Sequence, residues 1–251
     1  MMQWFKPSTS LLWVVAAALI AHLCLLVGQP LWLPALAALV LTALLPGILL
    51  VEALFARSPA APTLAERILY SVAAGYGVMV VVMLLVSYLP GPTQAWQTLL
   101  AFAWTLFLPP LAGGRRGGGG GAQPGRAGPA AAVERPTLLY AGLVILLVVG
   151  GFFRLANLGY SEFQGDEARA ALRAVALFQG YDDVLMIHKK GPTEILLPAV
   201  IGSLTGHLTE TTARLPFALA GVAALFAIFL LGSALLGPLA GWVAAFLLAF
   251  D

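Results

Sequence analysis

An acidic pair, Asp166-Glu167, and a basic triplet, His188-Lys189-Lys190, are the residues whose types and spacing could do chemistry. A carboxylate can accept a proton from an attacking hydroxyl group. Lysine and arginine side chains can stabilise the negative charge that develops on a departing phosphate. Together these groups would suit a substrate that carries a transferable group on a lipid phosphate, with its tail in a bilayer and its head beside the charged residues.

Both groups belong to one strongly charged segment. The chain has 13 basic and 11 acidic residues, and 11 of these 24 lie between Arg154 and Glu194. Charged groups beside a bilayer are costly unless they are solvated or used, so the cluster predicts a functional loop over residues 154–191. The alternative is a solvated loop between two helices, which explains the charge but not its arrangement.

The acidic pair opens a segment with helical periodicity, residues 166–179. Arg169 and Arg173 share one face, one turn apart. A second face carries the apolar residues Leu172, Val175 and Ala176. The pattern predicts a surface helix with its apolar side toward the lipid. Helix capping and dipole complementation are an alternative explanation. They account for one acid but not for basic residues that return to the membrane just before Gly191-Pro192.

The composition places the rest of the chain in a membrane. Hydrophobic residues make up 61% of the 251 residues and charged residues 10%, whereas a soluble domain carries roughly 25% charged residues. A helix needs about 20 apolar residues to cross the hydrocarbon of a bilayer. We therefore predict an all-α, polytopic membrane protein with about eight transmembrane helices, near residues 10–28, 31–55, 68–89, 95–112, 137–153, 192–208, 215–234 and 238–250.

Residues 113–136 divide these spans into two modules. The segment is rich in Gly, Pro and Arg and has no apolar periodicity, so it cannot build a core. It is predicted to be a flexible linker between a four-helix N-terminal membrane module, residues 1–112, and a second module, residues 137–251.

Basic residues determine the predicted orientation. The seven that precede residue 150 all fall on one side of the membrane, and the opposite turns at 28–30 and 90–94 carry none. Because Lys and Arg are enriched in cytoplasmic loops, the N-terminus is predicted to be cytoplasmic. The loop over residues 154–191 is then extracytoplasmic, in a multi-pass protein of the cell membrane.

Three runs in the second module resemble the lipid-dependent glycosyltransferases of the C-type fold. They are FRLANLGYSEFQGDEARAALRAVALFQG, HKKGPTEILLPAVIGSLTG and ARLPFALAG. The pattern is similar to family 39, the protein O-mannosyltransferase and aminoarabinose transferase group. Its members carry an Asp-Glu pair in the first extracytoplasmic loop, Lys-Pro-Pro or Lys-Gly-Pro at the next helix, and a later Ala-Arg-Leu-Pro. Since such relatives continue through several more helices, the chain is expected to be a C-terminally truncated transferase.

The resemblance implies a role for each residue that matches a motif. Asp166 would be the catalytic carboxylate and Glu167 its partner. Arg169, from the Asp-Glu-x-Arg form, and Lys190, directly before Gly191-Pro192, would bind the lipid phosphate.

Three further residues are interpreted through the same resemblance. His188 and Lys189 are candidate substrate-binding residues at positions where the family varies. Some relatives have an acid there near a metal; because this chain has His and Lys, no metal site is carried over, and dependence on a divalent metal stays open. No other cofactor is expected. Arg214 matches the later arginine, but the predicted topology puts it on the cytoplasmic side, where packing or lipid contact is expected.

The predicted function is transfer of a sugar from a polyprenyl-phosphate carrier to a lipid, glycan or protein hydroxyl, with Asp166 as base and with the inversion that the resemblance implies. A membrane transporter or flippase-associated protein is an alternative, and so is a structural membrane subunit. Transporters place ionisable residues within their spans, and here Glu52 and Glu194 approach that arrangement, both near span ends. The basic residues form no aromatic-interleaved patch, so no nucleic-acid partner is predicted.

Overall fold

The computed structural model describes residues 9–55, 62–112, 137–181 and 183–250. The fold is 81% helix, with no strand among these residues, so the prediction of an all-α fold is confirmed. The helices in chain order are α1 (Thr9–Leu26), α2 (Trp32–Phe55, with a π-helical turn at Val40–Leu44), α3 (Leu64–Ser87), α4 (Ala95–Ala112), α5 (Thr137–Leu155), α6 (Gly165–Phe178), α7 (Val184–Ile187), α8 (Thr193–Thr205), α9 (Glu210–Leu236) and α10 (Pro238–Ala249).

Three of the described helices are long and apolar enough to cross a membrane. They are α2 and α3, with 24 residues each, and α9, with 27. At about 1.5 Å per residue they exceed the hydrocarbon core of a bilayer, which is about 30 Å thick. Helices α5, α8 and α10 are apolar but shorter. The long helices support a location in a membrane.

Helix α3 begins at a capping box. The N–H of Thr63 donates to Glu66 Oε2 (2.7 Å), and the N–H of Glu66 donates to Thr63 Oγ1 (3.3 Å). Two N–H groups that would lack partners at the start of a helix are thereby satisfied.

Contacts divide the chain into two compact units. The first contains Met1–Ala112 and Asn157–Ala218, and the second contains Gly113–Ala156 and Leu219–Asp251. The loop after α5 therefore groups with the first four helices, although the sequence led us to join it to the second module. The predicted linker, residues 113–136, lies outside the described residues.

Helix α8 lies in the core of the first unit. It packs against α2, α3, α4 and α6, and nine of its 13 residues, 195–203, are buried. Near its end, Thr98 Oγ1 of α4 donates to Ser203 Oγ (3.1 Å), which donates to the carbonyl of Val200 (2.9 Å). The turn before α4 also touches α6, since the N–H of Thr93 donates to the carbonyl of Phe178 (2.8 Å). The N-terminal helices thus form the support on which α6 and α8 rest.

Small residues bring α2 and α3 into backbone contact. A Cβ atom added to Gly47 would lie 1.9 Å from the carbonyl oxygen of Ser71, and one added to Gly75 would lie 2.2 Å from that of Ala43. Neither distance is compatible with a side chain. Close approach through small residues is a common way for membrane helices to pack without a hydrophobic driving force.

The second unit contains α5, the later part of α9, and α10. Its core is formed by Leu143, Leu146, Leu225, Phe229, Ala245 and Ala249. At the end of α5, the Arg154 guanidinium donates to the carbonyls of Leu248 (2.6 Å) and Ala249 (3.1 Å), near the end of α10. A basic side chain here satisfies carbonyls that the helix itself leaves without partners.

Gly75→Ala should destabilise the first unit by about 1–3 kcal/mol, because the new methyl group overpacks against the backbone of α2. Gly77→Ala is the matched control, since it lies in the same helix and has nothing within 4 Å of an added Cβ. Thermal unfolding in detergent measures both. Equal melting temperatures for the two variants would contradict the close approach of α2 and α3.

Candidate functional site

The acidic pair lies in the first turn of α6, as the sequence predicts. The chain enters this helix through Gln164, whose backbone is extended, and Gly165, whose φ of +52° favours glycine. Gln164 makes no capping hydrogen bond with its side chain. Asp166 and Glu167 then point to different partners, so the two acids have different surroundings.

Asp166 is the exposed member of the pair. Its carboxylate, 65% exposed, accepts hydrogen bonds from Arg169 Nη1 (3.2 Å) and Lys190 Nζ (3.4 Å). Asp166, Arg169 and Lys190 were all proposed as site residues from the sequence, and the structure brings them together. These contacts are with charged side chains and not with backbone N–H groups; in the first turn of α6 the Asp166 carboxylate also complements the helix dipole.

Glu167 instead forms a paired contact with Arg214. The Nε of Arg214 donates to Glu167 Oε1, and its Nη2 donates to Oε2 (2.8 Å). The remaining nitrogen of the guanidinium, Nη1, donates to the carbonyls of Leu158 (2.6 Å) and Ser161 (3.0 Å). Arg214 is 17% exposed and Glu167 40%. One guanidinium therefore fixes a carboxylate and two loop carbonyls.

The environment of this pair favours the ionised carboxylate. Hydrogen bonds from the Arg214 guanidinium hold the pKa of Glu167 below its ordinary value of 4.5, against the opposing effect of burial. The rings of Tyr160 and Phe163 lie 5.9 and 5.6 Å from the guanidinium carbon, within the range of a cation–π interaction. Glu167 is thus a bound structural anion, in contrast to its neighbour.

Arg214 contacts Glu167 directly, although the sequence placed Arg214 on the opposite side of the membrane from Glu167. Helix α8, between Lys190 and Arg214, has 13 residues, about 20 Å, which is shorter than a hydrocarbon core of about 30 Å. Lys190 and Arg214 both contact the first turn of α6, so the two ends of the segment between them lie close together.

Helix α6 packs against α8 through small residues. The buried residues are Ala170, Ala171, Ala174 and Leu177, on the side that packs against α8. Leu172, predicted to face lipid, lies on another side and is 70% exposed. The alanines allow a close approach of the two helices.

A chain of polar contacts connects α6 to the start of α8. Arg173 of α6 donates to Nδ1 of His188, and His188 Nε2 lies 3.0 Å from Glu194 Oε2. Glu194 Oε1 lies 3.7 Å from Lys190 Nζ. The His188 side chain is only 6% exposed, so this predicted substrate-binding residue is held inside the protein by two side chains.

Two clefts flank the first turns of α6. The first, which we call the cationic cleft, has a volume of about 410 Å³. Its polar lining is Asp166, Arg169, Arg173, His188, Lys189 and Lys190. Four cations and one exposed carboxylate can bind a phosphate and accept a proton from a hydroxyl group beside it.

The second cleft, which we call the apolar cleft, has a volume of about 330 Å³. Its apolar lining is Phe163, Ala170, Ala171, Pro198, Ala213 and Phe217. Glu167, Glu194 and Arg214 line its polar side. Glu194 stands between the two clefts, because it lines this one and contacts Lys190 and His188 of the other.

Sequence reasoning missed three residues of this arrangement. Arg173 was recognised as a neighbour of Arg169 but not as a site residue, although the spacing of one turn was the available signal. Glu194 was interpreted as an acid near a span end, and Arg214 was placed on the opposite side of the membrane from Glu167. Among the described residues, no group of three or more His, Cys, Asp or Glu side chains could hold a metal ion.

No protein-family model, no curated protein and no solved structure matches this chain.

Acidification should release the loop that Arg214 holds, residues 156–164. Because the pKa of Glu167 is lower in the folded than in the unfolded chain, the stabilisation from this pair is complete above about pH 4.5 and is lost as the pH falls through the lowered pKa. We expect pepsin to cleave the loop of the wild type much faster at pH 3 than at pH 4.5. Mass spectrometry of the fragments measures this.

Glu167→Gln should be cleaved rapidly at both pH values, because it lacks the charge that Arg214 binds. Glu162→Gln, at an exposed position in the same loop, should behave as the wild type does. Identical pH dependence in Glu167→Gln and the wild type would contradict the assigned role of the pair.

Proposed function

We propose that this chain is a membrane glycosyltransferase that moves a sugar from a polyprenyl-phosphate carrier to a hydroxyl group of a lipid, glycan or protein acceptor. The observation that carries the proposal is the exposed Asp166 carboxylate in a cleft with four cations. A base beside a phosphate-binding site is what transfer from a phosphate to a hydroxyl requires. The resemblance of the Asp-Glu, Lys-Gly-Pro and Ala-Arg-Leu-Pro motifs supports the same class.

The two clefts would receive the two chemically different parts of the donor. The phosphate binds in the cationic cleft, where Arg169, Lys189 and Lys190 reach its oxygens. The first isoprene units lie in the apolar cleft, whose walls include Phe163 and Phe217. The attraction between a phosphate and a cation is strongest where water is excluded. We therefore expect the phosphate to bind on the half-buried side of the cationic cleft.

In the proposed reaction, Asp166 accepts the proton of the acceptor hydroxyl while its oxygen attacks the anomeric carbon of the sugar. A carbon–oxygen bond forms on one face, and the bond from the anomeric carbon to the phosphate oxygen breaks on the other, which inverts the configuration. The electron pair stays on the carrier phosphate. Lys190 and Arg169 stabilise this growing charge, and therefore the transition state more than the ground state.

Donor binding would also prepare the base. Before the donor arrives, Asp166 accepts hydrogen bonds from Arg169 and Lys190, which occupy its carboxylate oxygens. A phosphate in the cleft competes for both cations. When they turn toward the donor, the carboxylate oxygens of Asp166 are free to accept the proton of the acceptor hydroxyl.

Glu167 is assigned a positioning role in this proposal. Both of its oxygens are bound by Arg214, and its lowered pKa makes it a poor proton acceptor. By fixing the first turn of α6, Glu167 determines where the neighbouring Asp166 points.

The proposed topology has seven spans, with α8 held at the extracytoplasmic face. The chain enters the membrane from the cytoplasm at α1, and the loop between α5 and α9 lies outside together with the turn at 90–94. Contact of Thr93 with Phe178 supports a common side for that turn and α6. The seven basic residues that precede residue 150 lie on the opposite side, which is therefore assigned to the cytoplasm.

Labelling of introduced cysteines tests this topology. In a Cys24→Ser background, an impermeant maleimide applied to intact cells should modify both Glu162→Cys and His207→Cys, because the segment between them does not cross. Ala122→Cys should react only after permeabilisation. A protected His207→Cys beside a labelled Glu162→Cys would restore the eight-span topology and contradict ours.

Asp166→Asn should lower turnover by about 10²–10⁴-fold, because it keeps the shape and removes the base. Binding of the lipid donor should remain nearly intact. Transfer from radiolabelled polyprenyl-phosphate sugars in membranes that contain the protein measures the first, and the dependence of rate on donor concentration measures the second. Asp183→Asn, at another acid of the same loop, is the control. Near-normal turnover by Asp166→Asn would remove Asp166 from catalysis.

Lys190→Ala should raise the donor KM and lower kcat, because Lys190 contacts both ground-state phosphate and leaving phosphate in the proposed reaction. The two variants therefore separate the base from the phosphate-binding group. A Lys190→Ala enzyme with unchanged donor KM would contradict the placement of the phosphate in the cationic cleft.

A further inference from the structure

Arg173 is the cation of the cleft that none of the family motifs includes. Its guanidinium donates to Nδ1 of His188. A guanidinium group has donors only, so Nδ1 must accept and the imidazole must carry its proton on Nε2. That Nε2–H donates to Glu194 Oε2, 3.0 Å away. The three side chains form a one-directional chain of hydrogen bonds, from Arg173 through His188 to Glu194.

This chain gives Arg173 a different status from the cations that contact Asp166. The side chains of Arg169 and Lys190 are 73% and 56% exposed, and each is paired with the Asp166 carboxylate. Arg173 is partly buried, and its hydrogen-bond partner is the imidazole ring of His188 and not a carboxylate. Its charge is therefore not neutralised by that partner, and its position is fixed by a side chain that is itself 94% buried, since His188 is 6% exposed.

We infer that Arg173 is the fixed phosphate-binding residue of the cationic cleft, and that His188 and Glu194 are positioning residues that hold it there. This inference rests on the proposed function, because it assigns the phosphate of the same donor. A guanidinium has five N–H donors, of which His188 takes one, so the planar group can still present a pair of N–H groups to a phosphate. Arg169 and Lys190 change their hydrogen-bond partner from Asp166 to the phosphate when the donor binds. Arg173 already has the position in which it binds the phosphate.

The inference changes the role of His188. The sequence made it a substrate-binding residue, but both of its ring nitrogens are taken by protein side chains. It acts through Arg173. A glutamine at this position can reproduce the arrangement, because its carbonyl oxygen accepts and its amide nitrogen donates, whereas alanine can do neither.

Binding of farnesyl monophosphate to the detergent-solubilised protein, measured by titration calorimetry with farnesol as the phosphate-free reference, tests the inference. Arg173→Ala should weaken binding about tenfold or more, as expected for the loss of hydrogen bonds to a charged group. Arg67→Ala is the matched control, since it removes another guanidinium bound by a side chain, the Glu52 carboxylate at 3.5 Å, but lies outside both clefts. It should bind as the wild type does.

Variants of His188 separate positioning from general damage to the fold. His188→Ala should weaken binding about fivefold, and His188→Gln should bind within about twofold of the wild type. The double variant Arg173→Ala/His188→Ala should bind no more weakly than Arg173→Ala alone, because His188 has no effect once Arg173 is absent. Arg173→Lys keeps a charge but not the planar pair of donors, so it should bind less tightly than the wild type and serves if the alanine variant does not fold.

The outcomes distinguish this inference from the proposed function. If the wild type binds farnesyl monophosphate and the Arg173 variants bind equally well, the inference is overturned and the proposed function stands. Additive losses in the double variant, or no rescue by His188→Gln, overturn the positioning role. If the wild type binds the phosphate no better than farnesol, both the proposed function and the inference are overturned.

Discussion

The paired contact of Glu167 with Arg214 is the interaction on which the arrangement of the site depends. It joins the start of α6 to the start of α9, two points 47 residues apart in the sequence, and the same guanidinium binds two carbonyls of the loop before α6. Arg214 is 17% exposed and Glu167 40%, so breaking the pair leaves a partly buried charge without its partner. The contacts of Arg214 thereby close residues 158–214 into a loop, and α8 is a segment of that loop. Asp166, directly before Glu167 in the sequence, stays exposed in the same geometry.

Helices α2, α3 and α4 support the site, although they contribute no side chain to the lining of either cleft. Helix α8 carries Glu194 at its first turn, and its buried residues pack against α2, α3 and α4. Tyr76 of α3 donates to the carbonyl of Pro216 (2.6 Å), two residues after Arg214. Precise placement of charged groups requires second contacts of this kind, because a side chain on an unsupported loop samples many positions. The N-terminal helices supply the rigidity that the charged residues lack.

Local patterns in the sequence were sufficient for local structure. The start of α6 at the acidic pair follows from side-chain chemistry within one turn, and the all-α class follows from apolar composition. The pairing of Glu167 with Arg214 could not be predicted, because it depends on whether an apolar segment of about 15 residues crosses a bilayer or folds back. Hydropathy is the same in both cases, since the interior of a helix bundle is as apolar as lipid. The side of α6 that packs against α8 was not identified from the sequence, because its alanines give a weak apolar signal but pack closely.

The burial of α8 among the first four helices has a consequence for biogenesis. Helices α1–α4 are synthesised about 100 residues before Arg214, which at about 5–20 residues per second corresponds to roughly 5–20 s. During that interval the groove that will hold α8 is empty, and the first four helices must stay together through their own contacts. The first unit therefore cannot complete its core until α8 has been synthesised. A nascent chain arrested between residues 112 and 193 would be a substrate for membrane quality control.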